Sequence, residues 1–344
     1  MKHFYKPDLN SFISTLNRKK TNRIPIAELG IHPIIKEKFL GRKIESLKDE
    51  IDFWSCAGYD YVKLQPKVNF NKYKEEFQKN YDVENQSVKR NWSSEETGLI
   101  LNESDFDQYS FPKKEEINYS TFEEAVKFLP DNFGIIGQYG DIFTMTWELM
   151  GFENFSLALF ENYDLVKRIN DSLGELILNM FQNMVTIPEV AALWYSDDIA
   201  FATGLIVSPE TLDDLFFPWL SKIGNLAKEY NKPFIYHSDG LLFDVMDKII
   251  SCGVTALHPI EPKAMDIADV KRRYGDKLAL IGNIDVDLLS RGSTEEVRNT
   301  VIHNIQAVGL DGGYCVGSGN SIPEYVNFNN YLTMIETAKN FIVS

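Results

Sequence analysis

Residues of metal-binding type follow apolar runs in the second half of the chain. His237 and Asp239 stand two positions apart in KPFIYHSDGLL, where a strand-like run ends, and at that spacing both can point to one side. Glu261 follows VTALHPI, and Cys315 lies far downstream in GGYCVGSG. Imidazole, carboxylate and thiolate groups are all zinc ligands. The wide spacing excludes a compact zinc knuckle but fits a catalytic site with ligands from separated elements.

Each of these residues also has a structural interpretation. A single histidine at a strand end is more often a hydrogen-bonded packing residue, and a single cysteine such as Cys315 is more often a small core residue. Asp197 and Asp198 could cap a helix, and Glu261 before Pro262 could close a turn. The metal hypothesis depends on the coincidence of several ligand types at neighbouring strand ends.

Eight short apolar runs alternate with helical patterns along the chain. Strands that alternate with helices predict right-handed βαβ units and a parallel sheet, and eight such units predict an α/β protein of the closed (β/α)8 TIM-barrel type. The runs are RIPIAELG, YDYVKLQP, NFGIIGQYGD, VAALWYSDD, KPFIYHSDG, VTALHPIEP, LALIGNID and GGYCVGSG.

Two segments depart from this repeat. The first 20 residues predict an additional N-terminal helix, and residues 66–120 predict an insertion after the second strand that carries a hairpin. Ser293 with Glu296 predicts a capping box at the start of a helix. We expect the whole chain, residues 1–344, to form one domain.

The active site of such a barrel forms at the carboxyl ends of its strands. Polar residues at these ends are therefore the candidate pocket: Glu28, Lys63, Gln138, Asp197, Asp198, His237, Asp239, His258, Glu261, Asn283 and Cys315. Lys63 and Gln138 could equally well be solvent-exposed, make structural contacts or bind a ligand. The loop GSGNSIP, residues 317–323, could hold a phosphate through backbone N–H groups, although βα turns use glycine without any ligand.

Composition excludes several classes of function. The formal net charge of −15 argues against nucleic-acid binding through a broad basic surface, and it disfavours an anionic membrane surface. The sequence has no apolar run of membrane-spanning length, and its start is too polar for a signal peptide. Three widely spaced cysteines indicate a reducing, cytoplasmic setting. The acidic surface does not prevent a homodimer.

The chain resembles the uroporphyrinogen decarboxylase superfamily, which includes corrinoid- and zinc-dependent methyltransferases, over nearly its whole length. The resemblance rests on RIPIAELGIHPIIKEKFLGRK, ESDFDQYSFP, SDDIAFATGLIVSPETLDDLFFPWL, YHSDGLL, HPIEPKAMDIADVKRRYGDKLALIGNID and GSGNSIPEYV. It implies a (β/α)8 barrel and either decarboxylation or methyl transfer.

The decarboxylase branch fits less well at two positions. Its members carry arginine in an RQAGRY stretch at the first strand end, where this chain has AELGIHP with Glu28. They also carry glycine-histidine-glycine before the last helix, where this chain has Gly317-Ser318-Gly319. Glu28 would repel a polycarboxylate substrate, so decarboxylation of a tetrapyrrole is disfavoured.

The methyltransferase branch is similar at its zinc site, a His-x-Cys pair with a later cysteine. His237 and Cys315 match two of these positions, and Asp239 stands in place of the middle cysteine. Replacing a thiolate ligand with a carboxylate gives a harder ligand set and leaves the zinc a stronger Lewis acid. A stronger Lewis acid suits a poor leaving group such as the oxygen of a methyl ether.

The resemblance therefore implies a zinc-dependent methyltransferase that moves a methyl group from a small methylated donor, an O-methyl ether, to a corrinoid (cobalamin) on a partner protein. The expected metal ligands are His237, Asp239, Cys315 and Glu261. The expected catalytic residues are Glu28, Asp198 and Asn283, which orient the donor or protonate the leaving oxygen. The expected substrate contacts are Lys63, Gln138, Tyr195, Asp197, His258 and Ser318. A decarboxylase of a smaller acid and a non-enzymatic ligand-binding barrel remain alternatives.

Overall fold

The computed structural model of the protein describes residues 6–70 and 98–343. Its centre is a parallel sheet of seven strands, hydrogen-bonded in the order β1-β2-β3-β6-β7-β8-β9. These strands are β1 (Tyr61–Leu64), β2 (Gly134–Gly140), β3 (Val190–Ser196), β6 (Phe234–His237), β7 (Ala256–His258), β8 (Ala279–Ile284) and β9 (Tyr314–Ser318). The short strands β4 (Ala200–Phe201) and β5 (Gly204–Leu205) form an antiparallel pair beside it.

Helices precede, follow and connect the strands. In chain order they are α1 (Leu9–Leu16), α2 (Pro33–Leu40), α3 (Leu47–Ala57), α4 (Glu103–Gln108), α5 (Ser120–Val126), α6 (Ile142–Met150), α7 (Phe152–Glu161), α8 (Tyr163–Met184), α9 (Pro209–Leu215), α10 (Phe217–Glu229), α11 (Met246–Ser251), α12 (Ile267–Tyr274), α13 (Val286–Arg291), α14 (Thr294–Asn304) and α15 (Phe328–Lys339). Single turns of other helix types cover Lys114–Glu116, Phe243–Val245 and Ile305–Gly309. Within residues 6–70 and 98–343, no helix has the length and apolar character to cross a membrane.

The α/β class and the parallel sheet are confirmed, and seven of the eight predicted runs form its strands. The first run, residues 23–30, differs from the prediction because it makes an isolated parallel bridge between Ile26 and Val316 instead of a strand. Two backbone hydrogen bonds form this bridge, from Ala27 N to Val316 O and from Val316 N to Pro25 O, each 2.9 Å long.

A tyrosine side chain joins the same run to β1. The backbone N–H of Glu28 donates to the Tyr61 hydroxyl at 2.9 Å, and that hydroxyl donates to the Glu28 carbonyl at 3.0 Å. One buried hydroxyl thus satisfies both backbone groups of Glu28, which sheet pairing would otherwise satisfy. The first run is held between β9 and β1 by a backbone bridge on one side and a side chain on the other.

Strand register determines which side chains share a face of the sheet, because neighbouring residues in a strand point to opposite faces. Residues that are paired between neighbouring strands point to the same face of the sheet. Gln138 is paired with Trp194, and Ser196, two residues after Trp194, lies on the same face. Ser196 is paired with His237, so Gln138 and His237 share this face. Tyr195 lies on the opposite face, where its ring packs at 6.0 Å from that of Phe181 on α8. We call the face of Gln138 and His237 the inner face and the helix-covered face the outer face.

The long helix α8 shows how the outer face is buried. Its apolar residues recur at helical spacing and are buried against the sheet and neighbouring helices, including Leu165, Ile169, Leu173, Ile177, Met180 and Met184. Gly174 lies against Trp219 of α10, since a Cβ at this position would come within 2.2 Å of the indole ring. The Trp219 indole N–H donates to Asn170 of α8 at 2.9 Å. A helix-to-helix contact this close requires glycine.

The N-terminal helix is confirmed as α1, which begins after Asp8, whose side chain accepts from the Ser11 N–H. Of the predicted insertion at 66–120, residues 71–97, about half of the segment, lie outside the described residues, so the predicted hairpin is not tested as a whole. The described remainder contains α4 and an antiparallel bridge between Lys67 and Asn118.

Candidate metal centre

Three potential metal ligands meet where β3 and β6 end. Asp198, His237 and Asp239 each offer one ligand atom, and these atoms lie within 4.8 Å of one another. They meet because β3 and β6 are parallel neighbours with Ser196 paired to His237, so the residues that follow each strand share one edge. The Asp239 N–H donates to Asp198 Oδ1 at 2.8 Å and ties the two loops together.

His237 is buried at the base of this cluster. Its Nε2 lies 3.7 Å from Asp198 Oδ1, and its Nδ1 lies 2.7 Å from Nδ1 of His258 on the neighbouring strand β7. Burial lowers the pKa of His237, although the negative charge of Asp198 opposes the shift. Burial also lowers the pKa of His258 to well below its ordinary value, and the nearby His237 adds to this effect. Burial therefore favours the neutral form of both rings.

Asp239 has one oxygen engaged and one without a partner. Asn320 donates its side-chain N–H to Oδ2 of Asp239, whereas Oδ1 is buried and, among the residues described, has no hydrogen-bond partner. Burial, together with the negative charges of Asp198 and Glu261, raises the pKa of this carboxyl to about 8. Buried, crowded carboxylates of this kind are stabilised by a cation.

The residues present fit a divalent cation. The unpartnered Asp239 Oδ1 is the observation that supports this, because a buried oxygen without a donor is what coordination would satisfy. One imidazole nitrogen and two carboxylate oxygens form a suitable zinc ligand set that leaves a fourth position open. Glu261 lies next to this set, and its Oε2 accepts from the Gly240 N–H at 2.8 Å.

Cys315 does not join these ligands, and its placement corrects the predicted site. The cluster of Asp198, His237 and Asp239 does not include it. The run GGYCVGSG predicts Cys315 at a strand end, but β9 continues to Ser318, about 10 Å further at the usual rise per residue. Burial raises the pKa of the thiol, with smaller effects from Asp60 and Arg23. Asp60 directly precedes β1, so Cys315 lies toward the amino edge of the sheet.

Glu28 and Ser318 form a separate buried pair. Ser318 donates to Glu28 through its N–H and through its hydroxyl, both at 2.7 Å. Gly317 lies on the inner face, so its neighbour Ser318 lies on the outer face, as Tyr314 does. The charge of Glu28 raises the pKa of Tyr331 of α15. Burial raises the pKa of Glu28 to about 8. The structure therefore places Glu28 and Ser318 behind the sheet, away from the His237 cluster.

Three other predicted residues make structural contacts. Asp197 accepts hydrogen bonds from the N–H groups of Phe143 and Thr144, at 2.7 and 2.9 Å, and so caps the start of α6. The Tyr195 hydroxyl donates to the same carboxylate at 2.6 Å from the outer face. The Asn283 amide donates to the Ile260 carbonyl at 2.6 Å. Asp197 therefore caps a helix, whereas the adjacent Asp198 belongs to the cluster with His237 and Asp239.

Lys63 and Gln138 lie on the inner face with His237. The Lys63 ammonium donates to the Gln138 side-chain oxygen at 3.3 Å, and the Gln138 amide donates to the Ser196 hydroxyl at 3.0 Å. Burial lowers the pKa of Lys63 to about 8, and the nearby Lys36 charge acts in the same direction. The Lys63 charge also acts to lower the pKa of His237, so the two groups share one environment.

Sequence reasoning did not select Asn320 or Ser196 as site residues. Asn320 lies in the loop GSGNSIP, whose glycines indicate a phosphate-binding turn or an ordinary βα turn, yet its side chain contacts Asp239. Ser196 ends β3 and is paired with His237, so its position directly before Asp197 and Asp198 was the available signal.

Solved structures resemble the chain at low sequence identity. A methyltransferase from Methanosarcina mazei aligns over 97% of this chain and 98% of its own, with a TM-score of 0.71 and 16% identity. The 3-keto-D-glucoside 4-epimerase YcjR from E. coli aligns over 92% and 100%, with a TM-score of 0.40 and 13% identity. A sugar phosphate isomerase/epimerase from Parabacteroides distasonis aligns over 94% and 96%, with a TM-score of 0.38 and 10% identity. The first likeness establishes a shared fold.

No curated protein sequence matches the chain. The family model of uroporphyrinogen decarboxylase (URO-D) matches residues 95–341, which include six of the seven sheet strands and the whole candidate metal centre. On this match, the chain belongs to the uroporphyrinogen decarboxylase (URO-D) family.

Proposed function

We propose that this protein is a zinc-dependent methyltransferase that moves a methyl group from a small methylated donor to a corrinoid carried by a separate protein. The observation that carries the proposal is the Asp198, His237 and Asp239 cluster with its unpartnered Asp239 oxygen. Membership of the URO-D family and the fold shared with the Methanosarcina mazei methyltransferase support it. The donor class that suits this ligand set best is an O-methyl ether.

The proposal includes a complete (β/α)8 barrel formed by residues 1–344 as one domain. The run 23–30 would be its eighth strand, between β9 and β1. The Ile26–Val316 bridge on one side and the Tyr61 contacts with Glu28 on the other support this arrangement. The inner face would then line the barrel interior beneath the candidate metal centre.

Asp198, His237 and Asp239 would hold the metal, with Glu261 beside Gly240 as the candidate fourth ligand. When bound, zinc would supply Lewis acidity toward the ether oxygen. Two carboxylates and one imidazole are harder ligands than thiolates and donate less charge, which suits a poor leaving group. Cys315 has no part in this revised ligand set.

Lys63 and Gln138 would contact the donor and supply the proton. Lys63 is the one lysine or arginine within the seven described sheet strands, and it faces the same interior as His237. Its Nζ, whose pKa burial lowers to about 8, would supply the proton to the oxygen atom that the methyl group leaves. The Gln138 amide, fixed by Ser196, would orient the donor.

The acidic character of the site favours this activity over decarboxylation of a polycarboxylate. Asp198, Asp239 and Glu261 lie together at the strand ends, and their charges act on one another. A substrate with several carboxylates would meet like charges there. A small neutral ether would not.

Methyl transfer can be measured with zinc-loaded protein, reduced free cobalamin and a panel of O-methyl, N-methyl and S-methyl donors. The visible spectrum reports methylcobalamin formation. We expect transfer from an O-methyl donor in the wild type, its loss in Asp239→Asn, and its retention in Asp287→Asn, an exposed aspartate paired with Lys263. Wild-type protein without bound divalent metal, or equal rates in wild type and Asp239→Asn, would overturn the proposal.

A further inference from the structure

The contact between His237 and His258 goes beyond the ligand set. The two Nδ1 atoms lie 2.7 Å apart, the ring centroids are 4.9 Å apart, and the ring planes are inclined by 33°. His258 is fully buried, and His237 is 6% exposed. This is a direct hydrogen bond between two imidazoles on adjacent parallel strands, β6 and β7.

A hydrogen bond between the two Nδ1 atoms, 2.7 Å apart, has one proton between them. Two N–H groups would clash and two lone pairs would repel, so one ring donates and the other accepts. If His258 donates, a neutral His237 carries its other proton on Nε2, the atom that faces Asp198 at 3.7 Å. If His237 donates, its Nε2 presents a lone pair to the same position. Only the second arrangement leaves Nε2 able to bind a cation.

We propose that His258 is a positioning residue that accepts the Nδ1 proton of His237 and so holds Nε2 of His237 in its metal-binding form. The inference rests on the proposed metal site and adds a residue to it. Metal-binding histidines generally donate their second N–H to an acceptor that fixes ring orientation and tautomer. Here the acceptor is a second imidazole instead of a carboxylate or carbonyl.

The other nitrogen of His258 argues against a purely packing role. A histidine that only stabilises a core usually has both nitrogens satisfied, but Nε2 of His258 is buried and has no hydrogen-bond partner among the residues described. The ring centroid of Trp194 lies 5.0 Å from that of His258, in an edge-on arrangement. When His258 accepts at Nδ1, this Nε2 carries the proton and is a buried N–H donor without a partner among the residues described.

Zinc affinity tests the proposal through a matched set of variants. His258→Phe retains an aromatic ring but removes the acceptor, and His258→Asn places an amide oxygen where Nδ1 was. Trp194→Phe alters the packing against His258 without touching the hydrogen bond. Competition with a chromogenic chelator should show zinc affinity lowered about 10- to 100-fold in His258→Phe, largely recovered in His258→Asn, and near wild type in Trp194→Phe.

The tautomer of the wild-type protein gives an independent readout. In zinc-loaded protein labelled with ¹⁵N-histidine, NMR should show His258 protonated at Nε2 and unprotonated at Nδ1. A proton on His258 Nδ1, or equal zinc affinity in His258→Phe and wild type, would overturn the inference and leave the proposed function standing. Wild-type protein that binds no zinc would overturn both.

Discussion

The backbone N–H of Asp239 donates a 2.8 Å hydrogen bond to Oδ1 of Asp198. This bond links the loops after β6 and β3, so two candidate ligands on different strands are held together by the protein itself. A site built in this way needs little rearrangement to accept a cation, because the ligands are positioned by strand ends and a backbone contact.

Metal content should follow the cluster and not the cysteine. We expect His237→Ala and Asp239→Asn to lose most of the bound zinc, because each removes a ligand atom. Cys315→Ala should keep it, because the thiol lies toward the amino edge of the sheet. Elemental analysis of protein purified without added zinc measures this directly. Circular dichroism must show that all three variants are folded, and zinc loss in Cys315→Ala would contradict the ligand set.

Asn320 should support the metal through Asp239. Asn320→Ala removes the donor to Asp239 Oδ2, so the carboxylate loses its fixed orientation. We expect zinc affinity to fall about tenfold, the lower end of the range for residues that orient ligands. Chelator competition measures the change, and Asn340→Ala, at an exposed helix end, serves as the matched control. Equal losses in both variants would indicate a general effect on stability.

Tyr61 should contribute to stability through its hydroxyl. Tyr61→Phe leaves the N–H and the carbonyl of Glu28 without that partner in a buried position. We expect the free energy of unfolding to fall by about 1–3 kcal/mol, the cost of buried polar groups left unsatisfied. Denaturant unfolding checks this value. Tyr325→Phe, at a tyrosine that is 61% exposed, should leave stability nearly unchanged.

Glu28 should make stability depend on pH. Burial raises its pKa from an ordinary value of 4.5 to about 8, so the folded state binds its proton more tightly than the unfolded state. Stability from this group is therefore present at low pH and declines as pH rises between these two values, by up to about 1.4 kcal/mol per pH unit. Above about pH 8 the effect of this group is constant.

Glu28→Gln isolates this contribution because it resembles the protonated side chain and can still accept from Ser318. The difference in unfolding free energy between the variant and the wild type should shift in favour of the variant as pH rises from about 5 to about 8. Other carboxyls with raised pKa, such as Asp60, are common to both proteins and cancel. A difference that stays constant across this range would contradict the assignment.

Much of the fold follows from local sequence patterns. The apolar run KPFIYH predicts the strand Phe234–His237, and Ser293 with Glu296 predicts the capping box that opens α14, because both signals lie within a few consecutive residues. The run RIPIAELG has the same apolar pattern but forms an isolated bridge, since pairing depends on the position of a partner strand. A pattern in one segment cannot specify that position.

His237 and Asp239 show what the sequence by itself determined about the site: residue types competent to bind a metal, placed at the carboxyl end of a strand. The tertiary structure alone decided that Asp198 and Asn320 reach them and that Cys315 does not. The physical reason is that the distance between two candidate ligands depends on which strands are neighbours, on how far each strand extends, and on the face of the sheet to which each side chain points. The extension of β9 to Ser318 separates Cys315 from that end of the strand, while pairing of Ser196 with His237 brings Asp198 close.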